Sequence, residues 1–392
     1  MSAAVGAGAA PAGVSVGVDV GVDELARAAD DFARGLAPAI AAEPQLRHQG
    51  MPSDGDSDAV YRALGDGGWI GVHWPVALGG RGLSSLHTLA CEERFGYHWL
   101  PLSGYLLSVK TIGNALLRFA TPQLTERLIP EVAAGRLLFC QGFSEPDAGS
   151  DLASLRTRAR RDGDRFIVNG RKIWTSSADY ADWVYLAVRT DPDRERHRGI
   201  SVLVAPIDTP GITVGSHRTL GGGTIGELGL EDVEIPVDQL VGELHGGWRV
   251  LMGTLDYERV TSEKVGTVFR LLDDLEELAS DAAARRMLGR LRGAAQAARL
   301  HGRAAARLLE TGRPASAQSS MAKLSVAELM QRLAAFAVSV LGPTGLLEEG
   351  IGTLPGRVAA FARAATATTI SGGAAEIQRA VIARRELGCP PR

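Results

Sequence analysis

Two short segments of this chain carry several hydroxyl side chains, and the first also has residues small enough for the backbone to approach a ligand closely. The first is GFSEPDAGSD, residues 142–151, and the second is IWTSS, residues 173–177. Glycine and alanine lack the bulk that would hold a flat ligand away from backbone N–H and C=O groups. Taken alone, the first segment is more typical of a surface turn, and a lone tryptophan beside apolar residues usually belongs to a core.

A carboxylate forms the third candidate site. The stretch LDYER, residues 255–259, places Glu258 beside Arg259 within a helical pattern. A glutamate on a helix is most often exposed and paired with a nearby cation, so this pattern alone does not predict a catalytic base.

Composition excludes several classes of function. The 392 residues are 45% hydrophobic and 22% charged, which is typical of a soluble globular protein of about two or three domains. The formal net charge of −3 gives no basic surface for nucleic acid. No apolar run reaches the roughly 20 residues of a membrane span. We therefore expect neither nucleic acid nor a membrane as partner.

Cysteine and lysine are both rare. The three cysteines, Cys91, Cys140 and Cys389, are far apart and never form CxxC, which predicts no disulfide framework and no metal site and fits the cytoplasm. Of the 42 Lys and Arg residues, only four are lysine. Together with the abundant Ala and Gly, we interpret this as codon bias rather than as a function of arginine.

The elements that must position these segments change in character along the chain. Residues 1–20 are Gly-, Ala- and Val-rich and predict a flexible leader. Apolar residues recur at helical spacing over 21–135. Short β-branched segments separated by turn signals follow over 136–244, and amphipathic helices over 245–392. This order predicts an α+β protein with a helical domain, a β barrel or sandwich and a helical bundle, and it excludes a Rossmann fold.

Five segments, in order, resemble signatures of the acyl-CoA dehydrogenase family. They are PVALGGRGLS (75–84), GFSEPDAGSD, NGRKIWTS followed by YADW (169–183), EDVEIPVDQLVGE (231–243) and GAAEIQR with ARRELG (373–388). The resemblance covers nearly the whole chain after the leader. It implies an N-terminal helical domain, a central β domain and a C-terminal four-helix bundle, with FAD bound between domains and between subunits.

The resemblance also implies which residues bind the ligands. The loop from Gln141 to Ser150 wraps the flavin, and residues 174–176 pack on its isoalloxazine ring. The predicted FAD-contacting residues are Gln141, Phe143, Ser144, Gly149, Ser150, Trp174, Thr175, Ser176, Arg285, Gly342, Ala374 and Glu376. The predicted substrate contacts are Ser150, Asp256 and Arg259.

The catalytic base departs from the commonest family pattern. Many relatives carry a glutamate where this chain has Gly372, whose backbone N–H is one of the family's donors to the thioester carbonyl. Relatives resembling isovaleryl-CoA and long-chain acyl-CoA dehydrogenase place the glutamate on the first helix of the C-terminal domain, in a stretch similar to LDYER. The resemblance therefore implies Glu258 as the base and Gly372 as a carbonyl donor. The missing side chain at position 372 predicts room for a branched or bulky acyl group.

Other departures concern the subunit interface. RRMLG, residues 285–289, and SVLGP, residues 339–343, match the family's bridging motifs only in part, and Ala374 replaces a threonine. Similar changes occur in a bacterial subgroup that acts on bulky acyl groups such as steroid side chains, and some of its members are heteromers with one incomplete chain. We expect a homodimer or homotetramer, with a heteromer as the alternative.

The predicted function is FAD-dependent α,β-dehydrogenation of an acyl-CoA thioester. Glu258 takes the α-proton, hydride passes to flavin N5, and an electron-transfer flavoprotein accepts the electrons. Three alternatives share the fold: a dehydrogenase acting on acyl-carrier-protein thioesters, a flavin monooxygenase, and a non-catalytic or half-site subunit of a heteromer.

Overall fold

In the computed structural model of this protein, the described residues are 20–43, 57–194 and 196–390. The predicted leader, residues 1–20, lies outside them except for its last residue. The first described block is helical, and two of its helices begin at side-chain caps: Ser57 Oγ accepts from the Val60 N–H, and Thr121 Oγ1 from the Leu124 N–H. Its α-helices are α1 (Val22–Gly35), α2 (Ala37–Ala42), α3 (Asp58–Asp66), α4 (Ser85–Tyr97), α5 (Ser103–Tyr105), α6 (Asn114–Phe119) and α7 (Pro122–Ala133), with a π-helix at Leu106–Gly113.

The middle block is a sheet. Its strands are β1 (Phe139–Gly142), β2 (Arg158–Asp162), β3 (Arg165–Thr175), β4 (Trp183–Arg189), β5 (Ile200–Pro206), β6 (Ile212–Arg218), β7 (Thr224–Pro236) and β8 (Leu240–Val241). They pair in the order β6-β7-β3-β2-β4-β5-β8, and β1 runs parallel to β4. Alternate residues face opposite sides, so Tyr185 packs towards the N-terminal helices and Leu186 joins the core of the sheet itself.

The last block is helical again. Its helices are α8 (Gly247–Glu258), α9 (Ser262–Asp274), α10 (Ala282–Glu310), α11 (Ser316–Leu341), α12 (Leu354–Ala367) and α13 (Ala375–Arg385). The apolar faces of α9, α10, α11 and α12 meet in one core that includes Val268, Leu291, Leu329 and Phe361, whereas Val250 and Leu251 of α8 pack in the core of the N-terminal block. The predicted fold class, helices, then a β domain, then a helical bundle, is confirmed.

The two helical blocks are joined by α4 and α9, whose backbones nearly touch. A Cβ on Gly96 would lie 1.9 Å from the Glu263 carbonyl oxygen, and one on Gly266 would lie 1.9 Å from that of Glu93. Beside this contact Lys110 Nζ lies 2.6 Å from Glu263 and 3.2 Å from Glu92, all three residues being buried. The start of the C-terminal block is therefore anchored in the N-terminal block.

Helix α11 is unusually apolar. By length and composition alone, residues Ser316–Leu346 would suffice to cross a membrane. Core helices of globular proteins share this property, and the inward side chains Leu329, Met330 and Leu333 pack in the C-terminal core. The length and apolar composition of α11 are therefore not evidence that it spans a membrane.

Candidate active site

The loop after β1 is braced by a buried carboxylate. Glu145 accepts hydrogen bonds from the backbone N–H groups of Arg156 (2.6 Å) and Thr157 (2.8 Å) and from Lys172 Nζ (2.8 Å). Lys172 is fully buried and also donates to the Phe143 carbonyl oxygen at 3.1 Å. The loop is therefore held from the protein side by one ion pair and three hydrogen bonds to backbone groups.

Burial and the ion pair act in opposite directions on these two groups. Burial would raise the pKa of Glu145, but the Lys172 charge and the hydrogen bonds outweigh it and hold that pKa below its usual value. Burial lowers the pKa of Lys172 to about 8, against the opposing attraction of Glu145. Both groups are therefore charged at neutral pH, which keeps the brace intact.

The opposite face of this loop is open. Gly149 and Ser150 are exposed, and no atom lies within 4 Å of the position that a Cβ on Gly149 would take. Ser144 is half-buried. The Phe143 ring is buried against Tyr185, with centroids 5.8 Å apart, so only its backbone is left to meet a ligand.

The segment at the end of β3 shows two features that a ligand would satisfy. Trp174 is 67% exposed and has φ +57°, a conformation uncommon outside glycine and often found at functional sites. The Thr175 hydroxyl is buried without a hydrogen-bond partner among the described residues, and Ser176 is half-buried. The Ile173 N–H donates to the Ser144 carbonyl at 2.9 Å, which ties this segment to the loop after β1.

Glu258 and Gly372 meet, although one ends α8 and the other lies in the loop after α12. A Cβ atom built on Gly372 would lie 3.0 Å from Glu258 Oε1. Gly372 has φ +65°, a left-handed conformation that side chains disfavour. The other carboxylate oxygen, Glu258 Oε2, is buried and finds no hydrogen-bond partner in the described part of the chain. The two residues predicted to be catalytic are thus neighbours.

The environment of Glu258 favours its protonated form. Burial raises the pKa of this carboxyl above its ordinary value. The Arg259 charge, a hydrogen bond from the Gln141 side chain, and the Lys264 and Lys323 charges act in the opposite direction without cancelling the effect of burial. Gln141, near the end of β1, therefore links the strand that leads into this loop to the carboxylate.

The turn at Gly372 and Gly373 is fixed by its two carbonyl oxygens. Gln378 Nε2 donates to both, at 3.1 and 3.0 Å, and its residue is fully buried. Arg259 Nε lies 3.4 Å from the Gly372 oxygen, and Lys323 Nζ lies 2.6 Å from the Gly373 oxygen. Within the described ranges, no protein acceptor is found for the N–H groups of these two glycines. The turn therefore directs its acceptors inward and leaves two donors available.

Asp256 and Arg259, predicted to contact substrate, are both engaged in the protein. Asp256 Oδ2 accepts from Ser316 Oγ at 2.9 Å, and Arg259 lies 3.6 Å from the other oxygen of Asp256. Burial raises the pKa of Asp256, with the Ser316 hydrogen bond opposing it. These contacts join the end of α8 to the start of α11.

The remaining predicted cofactor residues lie in the C-terminal block. Arg285 is exposed, and its guanidinium group donates to the carbonyl oxygens of Ala279 (3.1 Å) and Ser280 (2.6 Å), just before α10. Gly342 has φ +61° at the end of α11. Ala374 is the N-cap residue of α13, and Glu376 is exposed in its first turn. The described hydrogen bonds of Arg285 do not reach either candidate flavin segment of its own chain.

Four residues that shape this site were not among the sequence candidates. They are the buried side chains that fix the two loops, namely Glu145, Lys172, Lys323 and Gln378. The scarcity of lysine was the available signal, because three of the four lysines are buried in a chain that uses arginine elsewhere. Gln378 carried no comparable signal.

Comparison with known proteins agrees with this arrangement. Three acyl-CoA dehydrogenase family models match in order: the N-terminal domain over residues 22–136, the middle domain over 140–233 and the C-terminal domain over 245–387. Acyl-CoA dehydrogenase FadE26 of Mycobacterium tuberculosis is 34% identical over 355 residues, which are 84% of this chain and 88% of that protein.

Two solved structures have the same fold over almost the whole chain. One is the Tcur3481-Tcur3483 steroid ACAD, with a TM-score of 0.86 and 30% identity over 96% of this chain and 100% of the other. The second is the ChsE4-ChsE5 complex from Mycobacterium tuberculosis, with a TM-score of 0.81 and 30% identity, again over 96% and 100%.

Proposed function

Because this chain belongs to the acyl-CoA dehydrogenase family of FAD-dependent oxidoreductases, we propose that it oxidises an acyl-CoA thioester between the α and β carbons. Glu258 is the base that removes the α-proton, and the Gly372 N–H donates to the thioester carbonyl oxygen. The position of Glu258 Oε1, 3.0 Å from where a Cβ on Gly372 would lie, carries the proposal, since it puts an acceptor beside a donor that has no acceptor among the described residues.

The electrostatics of the pair suit this chemistry. The α-proton of a thioester is weakly acidic, and hydrogen bonding to the carbonyl stabilises the negative charge that develops on its oxygen. Burial raises the pKa of Glu258, which makes its carboxylate a stronger base once ionised. Arg259, Lys264 and Lys323 stabilise that ionised form, so the carboxylate is buried without being isolated from positive charge.

The residues of the two joined loops fit the cofactor of the family. An exposed Trp174, open space beside Gly149, and a Thr175 hydroxyl without a partner among the described residues are features that a flat ring with a polar edge would cover. Ser144, Ser150 and Ser176 would add hydroxyl donors along that edge. FAD, when bound, supplies the acceptor for the hydride that leaves the β-carbon.

The preferred acyl group is proposed to be branched or ring-bearing. A relative of 30% identity is named a steroid ACAD, and this supports the proposal. The space beside Gly372 does not, because Glu258 Oε1 lies 3.0 Å from the point where a side chain at position 372 would begin, which leaves little room there. Room for a bulky group must therefore be formed by other residues.

The assembly is proposed to contain at least two chains, identical or related. Arg285 is exposed, and its described hydrogen bonds go to Ala279 and Ser280 rather than to the flavin loops of its own chain, as expected for a residue that completes a site in a neighbour. Two relatives are complexes of two different chains, so a heteromer is the second possibility. We further propose an electron-transfer flavoprotein as the acceptor and the cytoplasm as the location, where the three free cysteines would remain reduced.

Anaerobic rapid mixing tests the function directly. The purified protein, reconstituted with FAD, is mixed with butyryl-, octanoyl-, isobutyryl-, isovaleryl- and cyclohexanecarboxyl-CoA, and bleaching of the flavin absorbance is followed. We expect reduction, fastest with the branched or cyclic thioesters. The same acyl groups on a carrier protein distinguish the carrier-linked alternative. A colourless protein that takes up no FAD would refute the proposal and favour a non-catalytic subunit, whereas oxygen consumption by the reduced protein with substrate hydroxylation would favour a monooxygenase.

A further inference from the structure

Lys323 lies behind the glycine turn of the site. It is in the second turn of α11, is 5% exposed, and points its Nζ at the Gly373 carbonyl oxygen at 2.6 Å. That distance is short for a hydrogen bond from an ammonium group and belongs to the strong, charge-assisted class. The hydrogen bond from Lys323 to Gly373 therefore connects α11 to the loop after α12.

The turn needs external support because two successive glycines lose more backbone entropy on becoming ordered than other residues would. Gly372 and Gly373 have φ +65° and +97°, so two successive residues lie in the left-handed half of backbone space. Only two side chains donate to the Gly373 oxygen within the described residues, Gln378 and Lys323. Loss of Lys323 would leave that oxygen with the neutral amide of Gln378 alone.

Lys323 is also part of the charge environment of Glu258. Burial, Lys264 and Arg259 lower the pKa of Lys323 to about 8, while Glu258 and Glu376 oppose this shift. The ammonium form therefore predominates at neutral pH. Lys323 in turn lowers the pKa of Glu258, together with Arg259, Gln141 and Lys264. No other charge near Glu258 also binds the Gly373 carbonyl oxygen in the described part of the chain.

We propose that Lys323 is a positioning residue of the reaction: its ammonium group holds the Gly372–Gly373 turn so that the Gly372 N–H faces the thioester carbonyl, and its charge stabilises the carboxylate form of Glu258. This inference rests on the proposed function. In this proposal Lys323 contacts neither the substrate nor FAD. It acts on the Gly372 N–H through the backbone of the turn and on Glu258 through its charge.

Two substitutions separate the hydrogen bond from the charge. Lys323→Gln keeps a donor and removes the charge, and Lys323→Met removes both at nearly constant length. Arg332→Met is the control, because it removes a cation from an exposed position of the same helix. Each protein is prepared with FAD and compared by amide hydrogen exchange over residues 368–379 and by α-proton exchange of isovaleryl-CoA in D₂O as a function of pH.

For the Met variant we expect faster amide exchange in residues 368–379 and unchanged exchange elsewhere. For both Lys323 variants the midpoint at which Glu258 becomes active moves to higher pH, with a loss on the order of tenfold below the midpoint for a shift of one unit. Arg332→Met changes neither quantity. Wild-type amide exchange in the Met variant, or a wild-type midpoint in the Gln variant, would overturn the proposal.

Two further outcomes are also decisive. If Lys323→Met does not fold, the midpoint of Lys323→Gln decides alone. If wild-type protein catalyses no α-proton exchange with any thioester of the panel above, the proposed function fails. Amide exchange then still shows whether Lys323 holds the turn, so the two failures are distinguishable.

Discussion

Glu258 Oε1 lies 3.0 Å from the point at which any side chain on Gly372 would begin, so the two positions compete for one volume. We expect Glu258→Gln to keep the fold and FAD, because the amide is nearly isosteric with the carboxyl group. Flavin reduction by the best thioester should fall by about 10²–10⁴, the usual worth of a positioned general base. Rapid-mixing absorbance measures the loss, with the exposed Glu277→Gln as control. Reduction at the wild-type rate would show that the base lies elsewhere.

Adding a methyl group at position 372 should also impair the reaction. Gly372→Ala places Cβ against the carboxylate and forces alanine to φ +65°, at a cost of roughly 1–2 kcal/mol. We expect slower flavin reduction with FAD retained. Gly352→Ala is the matched control, since its Cβ would meet no atom within 4 Å and its φ is not left-handed. For the same reasons we expect Gly372→Glu to be less active than the wild type. Full activity in that variant would contradict the geometry.

The buried carboxylate should reduce stability at neutral pH. Burial raises the pKa of Glu258 in the folded state, so its neutral form is favoured there. Its contribution is fully present below the pKa of the unfolded chain and is lost as pH rises through the raised folded value. Glu258→Gln removes this dependence, and we expect a higher Tm than wild type at pH 8 but not at pH 4.5. Thermal unfolding of both proteins across this range measures the difference, and a constant difference in Tm would argue against the raised pKa.

The Glu145–Lys172 ion pair that holds the loop after β1 should be needed for cofactor binding. Lys172→Met leaves Glu145 charged and buried with only two backbone donors, and breaking a buried ion pair costs about 3–5 kcal/mol. We expect a lower free energy of unfolding and loss of FAD on gel filtration. Its neighbour Arg171 is exposed and pairs with Glu227 at the surface, so Arg171→Met should retain FAD. Equal FAD content in the two variants would show that the brace is dispensable.

Arg285 should act on a neighbouring chain. Arg285→Ala should leave the monomer fold intact and weaken FAD retention, whereas Arg286→Ala, one residue along the same exposed helix start, should not. Sedimentation should show at least a dimer at micromolar concentration. A monomer that holds FAD normally would contradict a site shared between chains.

The order of helices and strands could be predicted because it depends on local periodicity. Glu258 and Gly372 were predicted as partners from family resemblance, since nothing in their spacing brings α8 to the loop after α12. Lys323 and Gln378 were missed because their roles depend on which helix faces pack together. Phe143 was predicted to contact the flavin from its position in the loop after β1. Its ring instead packs against Tyr185, because an apolar side chain is more stable in the core.

The competition between a side chain at position 372 and the carboxylate of Glu258 also restricts how such a site can change over generations. A lineage that moves its base from one of these positions to the other would crowd two carboxylate side chains together while it carried both glutamates. The route passes through a chain with neither base, or with two that obstruct each other. If the gene were duplicated first, one copy could keep an intact site while the other changed. The result would be two related chains with unequal sites.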